Sequence, residues 1–320
     1  VKALVTGGAG FIGSNVVRLL LDRGCDVRVV DNFSTGHKTN LEFPEVLKQR
    51  LEVVEGDIRD RSLLDTAVRG REVVFHLAAC VGNVRSLENP REDAEINVLG
   101  TINVLEAVRR ARVGTVVYSS SAATFGEPVR LPVSEDHPQN PSSPYGVSKL
   151  AGEKLTLCYG WTYGFRTVCL RYFNVYGVNQ RYDAYGNVIP IFARRLIAGE
   201  PLTIYGDGEQ TRDFVNVRDV AEANWLGAKR SDVSGCYNIG CGTNITINSL
   251  AEILREASGL RAQVRHVDQR PGEVRHCHAD AQKARTGLGF EPVVTIRAGL
   301  KEYMDWFRDV GTGSARETHT

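Results

Sequence analysis

Thr6-Gly7-Gly8-Ala9-Gly10-Phe11-Ile12-Gly13 lies between a short apolar run, Ala3 to Val5, and a segment of helical period, Ser14 to Asp22. Gly8, Gly10 and Gly13 satisfy G-x-G-x-x-G, and Gly7, Gly10 and Gly13 a wider-spaced variant of it. A strand that turns on glycines into a helix leaves bare backbone N–H groups at the helix start, where partial positive charge favours a phosphate. The second apolar run, Val27 to Val30, ends in Asp31, eighteen residues after Gly13. An acid there accepts hydrogen bonds from ribose hydroxyls and repels a 2′-phosphate. The stretch therefore predicts a bound dinucleotide, NAD rather than NADP, held by Gly7, Gly10, Phe11, Ile12, Gly13, Asp31 and Asn32. Asp57-Ile58, after a third run, is placed to hold the adenine edge, and Asp57 alone also reads as a helix cap.

Outward from this turn the pattern repeats. Apolar runs at Leu51 to Glu55, Val73 to Leu77, Thr115 to Ser119 and Thr167 to Arg171 alternate with helical periods at Ser62 to Val68, Glu95 to Ala111 and Tyr145 to Tyr159. Strands separated by helices pair in parallel through right-handed crossovers. The expected class is α/β: a Rossmann-type doubly wound parallel sheet with a smaller α/β substrate-binding lobe. The first domain is expected over residues 1–177 and the lobe, discontinuous, over 178–310. Parts of 211–240 are expected to return to the first domain, and 311–320 reads as a disordered tail.

The chain has 320 residues, with 39 basic against 38 acidic side chains. That balance offers no basic stripe for nucleic acid, so a bound polyanion should be small and held by a few arginines. Seven cysteines, at 25, 80, 158, 169, 236, 241 and 277, show no repeated CxxC spacing and suggest reduced thiols. The first residues lack a signal-peptide layout, and no stretch of eighteen apolar residues occurs, so a soluble cytoplasmic protein without a membrane partner is expected. In that setting Asn244-Ile245-Thr246 has little weight as a glycosylation site.

A second constellation supplies chemistry. Ser119-Ser120-Ser121 ends a strand at the carboxyl edge of the sheet, where open α/β sheets bind ligands, although serines there also cap turns. Tyr145-Gly146-Val147-Ser148-Lys149 follows, and of eleven tyrosines only Tyr145 has Lys four residues on. A lysine one helical turn away is expected to favour the phenolate of Tyr145, a group otherwise ionised to about one part in a thousand at neutral pH.

With these motifs in order, the sequence resembles the extended short-chain dehydrogenase/reductases, and within them the nucleotide-sugar epimerase/dehydratase branch. The resemblance runs over residues 1–310. It includes Val74-Phe75-His76-Leu77-Ala78-Ala79, Asn97-Val98-Leu99-Gly100-Thr101, Arg171 to Gly177, Arg212-Asp213-Phe214 and Arg270-Pro271-Gly272-Glu273. It implies that Leu77, Ala78 and Ala79 line the cofactor, that Asn97 supports its pyrophosphate or ribose region and that Phe173 packs near the nicotinamide. It further implies Asn174 at the sugar diphosphate, Asn187 and Val188 at the base, Arg212 and Arg270 clamping the diphosphate, and Glu273 beside them. Bidentate guanidinium groups suit phosphate oxygens.

The implied reaction begins with Tyr145 taking the sugar 4-hydroxyl proton, with Ser121 bonding the sugar oxygen and Lys149 holding the nicotinamide ribose. Dehydratases and decarboxylases of this branch carry acids after the serine or threonine position; here Ala122 and Ala123 stand there. The expectation is therefore 4-epimerisation of a UDP-linked hexose, glucose/galactose or their N-acetylhexosamine forms. Alternatives are a uronate epimerase, dehydratase or reductase of the same branch, or an NAD-binding regulatory protein without turnover. Val81-Gly82-Asn83 replaces a region that often carries lysine, Phe125 replaces a tyrosine, and Cys277 stands at a gatekeeper position where a small residue admits an N-acetyl group. His276-Cys277-His278 does not read as a metal site, because adjacent residues of an extended segment point apart. The helices at 95–111 and 145–159 resemble the pair that builds a homodimer in relatives.

Overall fold

The computed structural model describes residues 1–182, 186–269 and 274–311. Its first half alternates β1 (Lys2–Thr6), α1 (Phe11–Asp22), β2 (Asp26–Asp31), α2 (Glu45–Lys48), β3 (Leu51–Glu55), α3 (Arg61–Ala67) and β4 (Val73–His76). There follow α4 (Asn83–Glu88), α5 (Pro90–Ala94), a π-helical turn at Glu95–Gly100, α6 (Thr101–Ala111), β5 (Thr115–Ser121), α7 (Pro144–Tyr163) and β6 (Arg166–Tyr172). The second half contributes β7 (Asn174–Tyr176), α8 (Val188–Ala198), β8 (Leu202–Tyr205), β9 (Thr211–Arg212), β10 (Phe214–Asn216), α9 (Val217–Lys229) and β11 (Gly235–Ile239). It ends with β12 (Ile245–Thr246), α10 (Ile247–Ser258), β13 (Val264–Val267), β14 (His276–Cys277) and α11 (Ile296–Gly311).

Seven strands form one parallel sheet in the order β11-β6-β5-β4-β1-β2-β3. Alternation of strand and helix dictates this, since each parallel return needs a crossover. Apolar residues of α1 (Val16, Val17, Leu20) and α9 (Val220, Ala223) cover one face of the sheet. Those of α3 (Leu64, Ala67) and α6 (Val104, Leu105, Val108) cover the other. A separate apolar cluster joins α8, α10 and α11 through Phe192, Leu250, Leu254, Leu300 and Tyr303, with Leu202 and Ile204 of β8. From beyond residue 178, β11 completes the large sheet, whereas Thr211–Arg212 stays outside it, paired with β12 and β14, and β10 pairs with β7. Among the described residues no helix is long and apolar enough to cross a membrane.

The chain moves outward from β1 to β3 and returns as β4 on the opposite side of β1, so the loops after β1 and β4 part at the carboxyl edge. Gly7 sits in that fork with φ +71°, and a Cβ there would lie 2.6 Å from the Ala78 backbone nitrogen. On the neighbouring side α7 approaches β5 closely: a Cβ on Gly152 would come within 2.2 Å of the Tyr118 hydroxyl.

Beneath that contact lies a buried ion pair. Arg171 Nη2 and Nε donate to the two oxygens of Glu153 at 2.8 and 2.9 Å, and Ser120 Oγ donates to Oε2 at 2.7 Å. Arg171 also reaches the Glu135 carbonyl at 3.0 Å and stacks its guanidinium 5.0 Å from the Phe125 ring centre. Burial alone would raise the Glu153 carboxyl, but the bonds from Arg171, Ser120 and Gln139 outweigh it and hold the group at about 2. Glu153→Ala would strand the guanidinium, and a loss of about 3–5 kcal/mol in unfolding free energy by urea titration is expected. Because the folded value lies below the ordinary 4.5, this contribution is complete above that pH and fades as pH falls toward 2.

Candidate active site

At the fork of the sheet, Gly10 precedes α1 in an extended conformation with no side-chain cap, so the amides that open this twelve-residue helix point out of the fold. A Cβ on Gly13 would fall 2.0 Å from the Gly7 carbonyl, so only glycine lets the loop close onto the helix. Phe11, Ile12 and Leu77 pack at the margin of the core, and Ala78 and Ala79 are half-buried in the opposite loop. A cradle of bare amides that any side chain would fill suits a dinucleotide pyrophosphate.

Asp31 is buried, and both its oxygens already serve the protein: Oδ2 accepts from Ala9 N and Oδ1 from Phe33 N, each at 2.8 Å. Burial raises its pKa against these bonds. The carboxylate thus fastens the glycine turn, and its remaining lone pairs are what it can offer a ribose. Asn32 donates to Asp57 at 2.8 Å, and Asp57 pairs with Arg59, whose bond holds the acid at about 2. Ile58 turns its side chain into the core, and its carbonyl accepts from Asn103 at 3.2 Å.

Asn97 likewise turns into the protein. Its Nδ2 lies 2.9 Å from the Cys80 carbonyl, 3.0 Å from Asp93 Oδ1 and 3.0 Å from Ser148 Oγ, while its Oδ1 accepts from Cys80 N at 2.8 Å. With these partners the side chain has no donor left for a cofactor and instead bolts the loop after β4 to α7. Its carbonyl accepts from Thr101 Oγ1 at 2.6 Å, which makes Thr101 the acceptor for His76 Nε2 at 3.0 Å. His76 Nδ1 then receives the Thr6 hydroxyl at 2.7 Å, an order of donors that assigns a neutral ring. Burial, and after it the charge of Lys149, lowers the His76 pKa to about 3.

Ser143 caps α7 by accepting from Gly146 N at 3.1 Å, and Pro144 follows at the first helical position. The helix therefore presents Tyr145 and Lys149 to the end of β5, where Ser121 stands. Ser121 Oγ accepts from Ala123 N at 3.1 Å, as a turn cap does, and the same hydroxyl is a hydrogen-bonding neighbour that favours the Tyr145 anion. Tyr145 is half-buried as a whole, but its hydroxyl is covered deeply enough that burial pushes it up to about 12. The groups acting on it after burial are Ser121, Asp93 and Cys80. The lysine's Nζ lies over the Tyr118 ring, 4.6 Å from its centre. Lys149 is itself buried, and burial lowers it to about 8 despite the opposing charge of Asp93.

The mouth of the site is lined differently. Phe125, Phe173, Val133 and Ala279 form a small apolar cluster against which Ala122 and Cys277 pack, so Cys277 and the residue after Ser121 share one wall. Burial raises the Cys277 thiol to about 11. Asn174 Nδ2 donates to the Asp213 carbonyl at 3.2 Å, and Arg212 reaches the Thr211 carbonyl at 2.9 Å while its charge acts on Cys277. Asn187, exposed, precedes α8 and Val188 packs against that helix's cluster. Arg270 and Glu273 lie outside the described residues. The sequence reading quoted His76 in a motif without giving it a role and missed Asp93 and Glu153, whose signal was spacing alone: Asp93, Asn97 and Thr101 recur every four residues, and Glu153 stands four after Lys149.

The profile of the NAD dependent epimerase/dehydratase family matches residues 3–240. A putative UDP-glucose 4-epimerase of Methanocaldococcus jannaschii is 41% identical, over 96% of this chain and 98% of that protein. The solved UDP-N-acetylglucosamine 4-epimerase of Methanobrevibacter ruminantium, in complex with UDP-N-acetylmuramic acid, superposes with a TM-score of 0.92 at 35% identity, covering 97% and 98% of the two chains. The UDP-glucose 4-epimerase of Thermus thermophilus, in complex with NAD, superposes with a TM-score of 0.86 at 38% identity, covering 96% and 99%.

Proposed function

The chain belongs to the NAD dependent epimerase/dehydratase family, and from that premise we propose that it catalyses NAD-dependent 4-epimerisation of a UDP-linked hexose. The observation that carries the reading is the meeting of Ser121 and Tyr145 at the carboxyl edge of the sheet, with Lys149 one turn behind and Ala122 and Ala123 where an eliminating acid would stand. NAD, when bound, supplies the hydride acceptor and donor that inversion at C4 requires, and a positive ring that favours a nearby phenolate. Tyr145 takes the 4-hydroxyl proton onto its oxygen and returns it when the carbon is re-formed. Ser121 bonds the same sugar oxygen and steadies it. Lys149, charged below about pH 8, sets the local potential. With no carboxylate after Ser121 to drive loss of water, the keto-sugar is left to turn over in its pocket and be reduced on its other face.

The diphosphate falls to Arg212 and Arg270, the nucleobase to Asn187 and Val188, and Asn174 and Glu273 complete the substrate contacts. Cys277, small and set in the same wall as Ala122, supports acceptance of N-acetylhexosamines. A second copy of the chain is the partner we assign to the exposed side chains of Leu99 and Val147, with Val84 and Leu87 beside them on α4. Seven unpaired cysteines support a reducing, cytoplasmic setting.

A panel of UDP-sugars read by proton NMR, axial against equatorial H4, tests the reaction directly; no interconversion of any pair would refute it. Tyr145→Phe should keep the fold and bound NAD while lowering turnover by about 100-fold or more. Cys277→Tyr should depress use of UDP-N-acetylglucosamine more than use of UDP-glucose, and equal effects would remove the gatekeeper role. Leu99→Glu should halve the sedimenting mass if two copies meet on this face.

A further inference from the structure

Asp93 is a carboxylate the reaction above does not use, yet it is 1% exposed and placed among the groups that do the chemistry. It lies on α5, and the π-helical turn at Glu95–Gly100 follows directly. In an α-helix, residues four apart are rotated by about 40°, so a row of three drifts off one face. The wider π-turn takes out that drift, and Asp93, Asn97 and Thr101 are all buried. Asp93 Oδ1 accepts from Asn97 at 3.0 Å and the Ser148 hydroxyl is a further hydrogen-bonding neighbour of the carboxylate, whereas Oδ2, equally enclosed, has no donor within bonding geometry. An enclosed carboxylate oxygen without a donor is costly unless a charge or bound group answers it. The nearby complement is Lys149, 3% exposed, whose ammonium rests on the Tyr118 ring.

We propose, resting on the epimerase reading, that Asp93 is a positioning residue whose second oxygen is the internal counter-charge of Lys149. Directly or through one bound water, it keeps the ammonium protonated beside the active phenol. The other groups facing Lys149 do not replace it. Glu153, on the same helix, is committed to Arg171; His76 from β4 is neutral; Cys169 from β6 is a buried thiol whose pKa is raised. Asp93 also faces Tyr145, together with Ser121 and the Cys80 thiol, itself flanked by Arg85 and Glu92. One negative charge therefore acts on both partners in the same direction: it favours the proton on Lys149 and the proton on Tyr145.

Asp93→Asn keeps the shape and the acceptor for Asn97 and removes only the charge. The expected result is that both limbs of the kcat/KM pH profile move toward acid by about one unit, a tenfold change in each ionisation ratio. The same variant should show the Tyr145 phenolate appearing at lower pH in ultraviolet difference titrations against Tyr145→Phe, a readout that needs no turnover. Asp93→Glu, which keeps the charge, should leave both limbs in place and serves if the asparagine variant does not fold. Lowered kcat with unmoved limbs and an unmoved titration would reduce Asp93 to a packing role and overturn the inference. Wild-type enzyme that titrates as described but interconverts no sugar pair would instead overturn the epimerase reading.

Discussion

Helix α7 can lie against β5 only because residue 152 has no side chain, and the site depends on that closeness. The Tyr118 hydroxyl occupies the space a Cβ would need and donates to the Lys149 carbonyl at 3.4 Å, while its ring supports the Lys149 ammonium. One residue further, Glu153 enters the same interface and binds Arg171 of β6 and Ser120 of β5. A helix spaced at the usual separation would lose all three contacts and withdraw Tyr145 from the strand end. The enclosed charge pair contributes little net stability over an apolar core, but it tolerates only one register of α7 against the strands.

Burial, more than any single pairing, sets the electrostatics. It raises Tyr145 and keeps His76 neutral, while Lys149, lowered to about 8, stays the charged member of the three at neutral pH. An oxidised, positively charged ring is the kind of ligand that shifts such a balance toward phenolate. The polar chain from Thr6 through His76 and Thr101 to Asn97 ties the glycine-rich side of the fork to the tyrosine side with every donor matched to an acceptor. Such a chain holds two loops in fixed relation without committing charge to the interior.

Much of this was legible in the letters. The strands β1, β2, β4, β5, β6 and β11 could be read because parallel, covered strands are largely continuous apolar runs, and even the partly exposed edge strand β3 coincides with Leu51 to Glu55 residue for residue. The motif residues Ser121, Tyr145 and Lys149 were found by spacing, which local structure preserves. What a string of letters does not carry is burial by distant elements. The seat of the Lys149 ammonium comes from Tyr118, twenty-seven positions before Tyr145, and the inward turn of Asn97 comes from Cys80 and Ser148. The π-turn, too, has no compositional mark, and Thr211–Arg212 is too short for its pairing with β12 and β14 to be read from periodicity.

The bonds made by Asp31 bear on how such a chain could change its coenzyme. Its carboxylate fastens Ala9 and Phe33, and Gly36 passes so near that a Cβ would meet Oδ1 at 2.9 Å. A residue tolerant of a phosphorylated ribose could replace the acid only if new acceptors were found for both amides. Coenzyme preference in this scaffold is thus built into loop architecture, and a lineage exchanging one coenzyme for the other would have to remodel the turn as a unit.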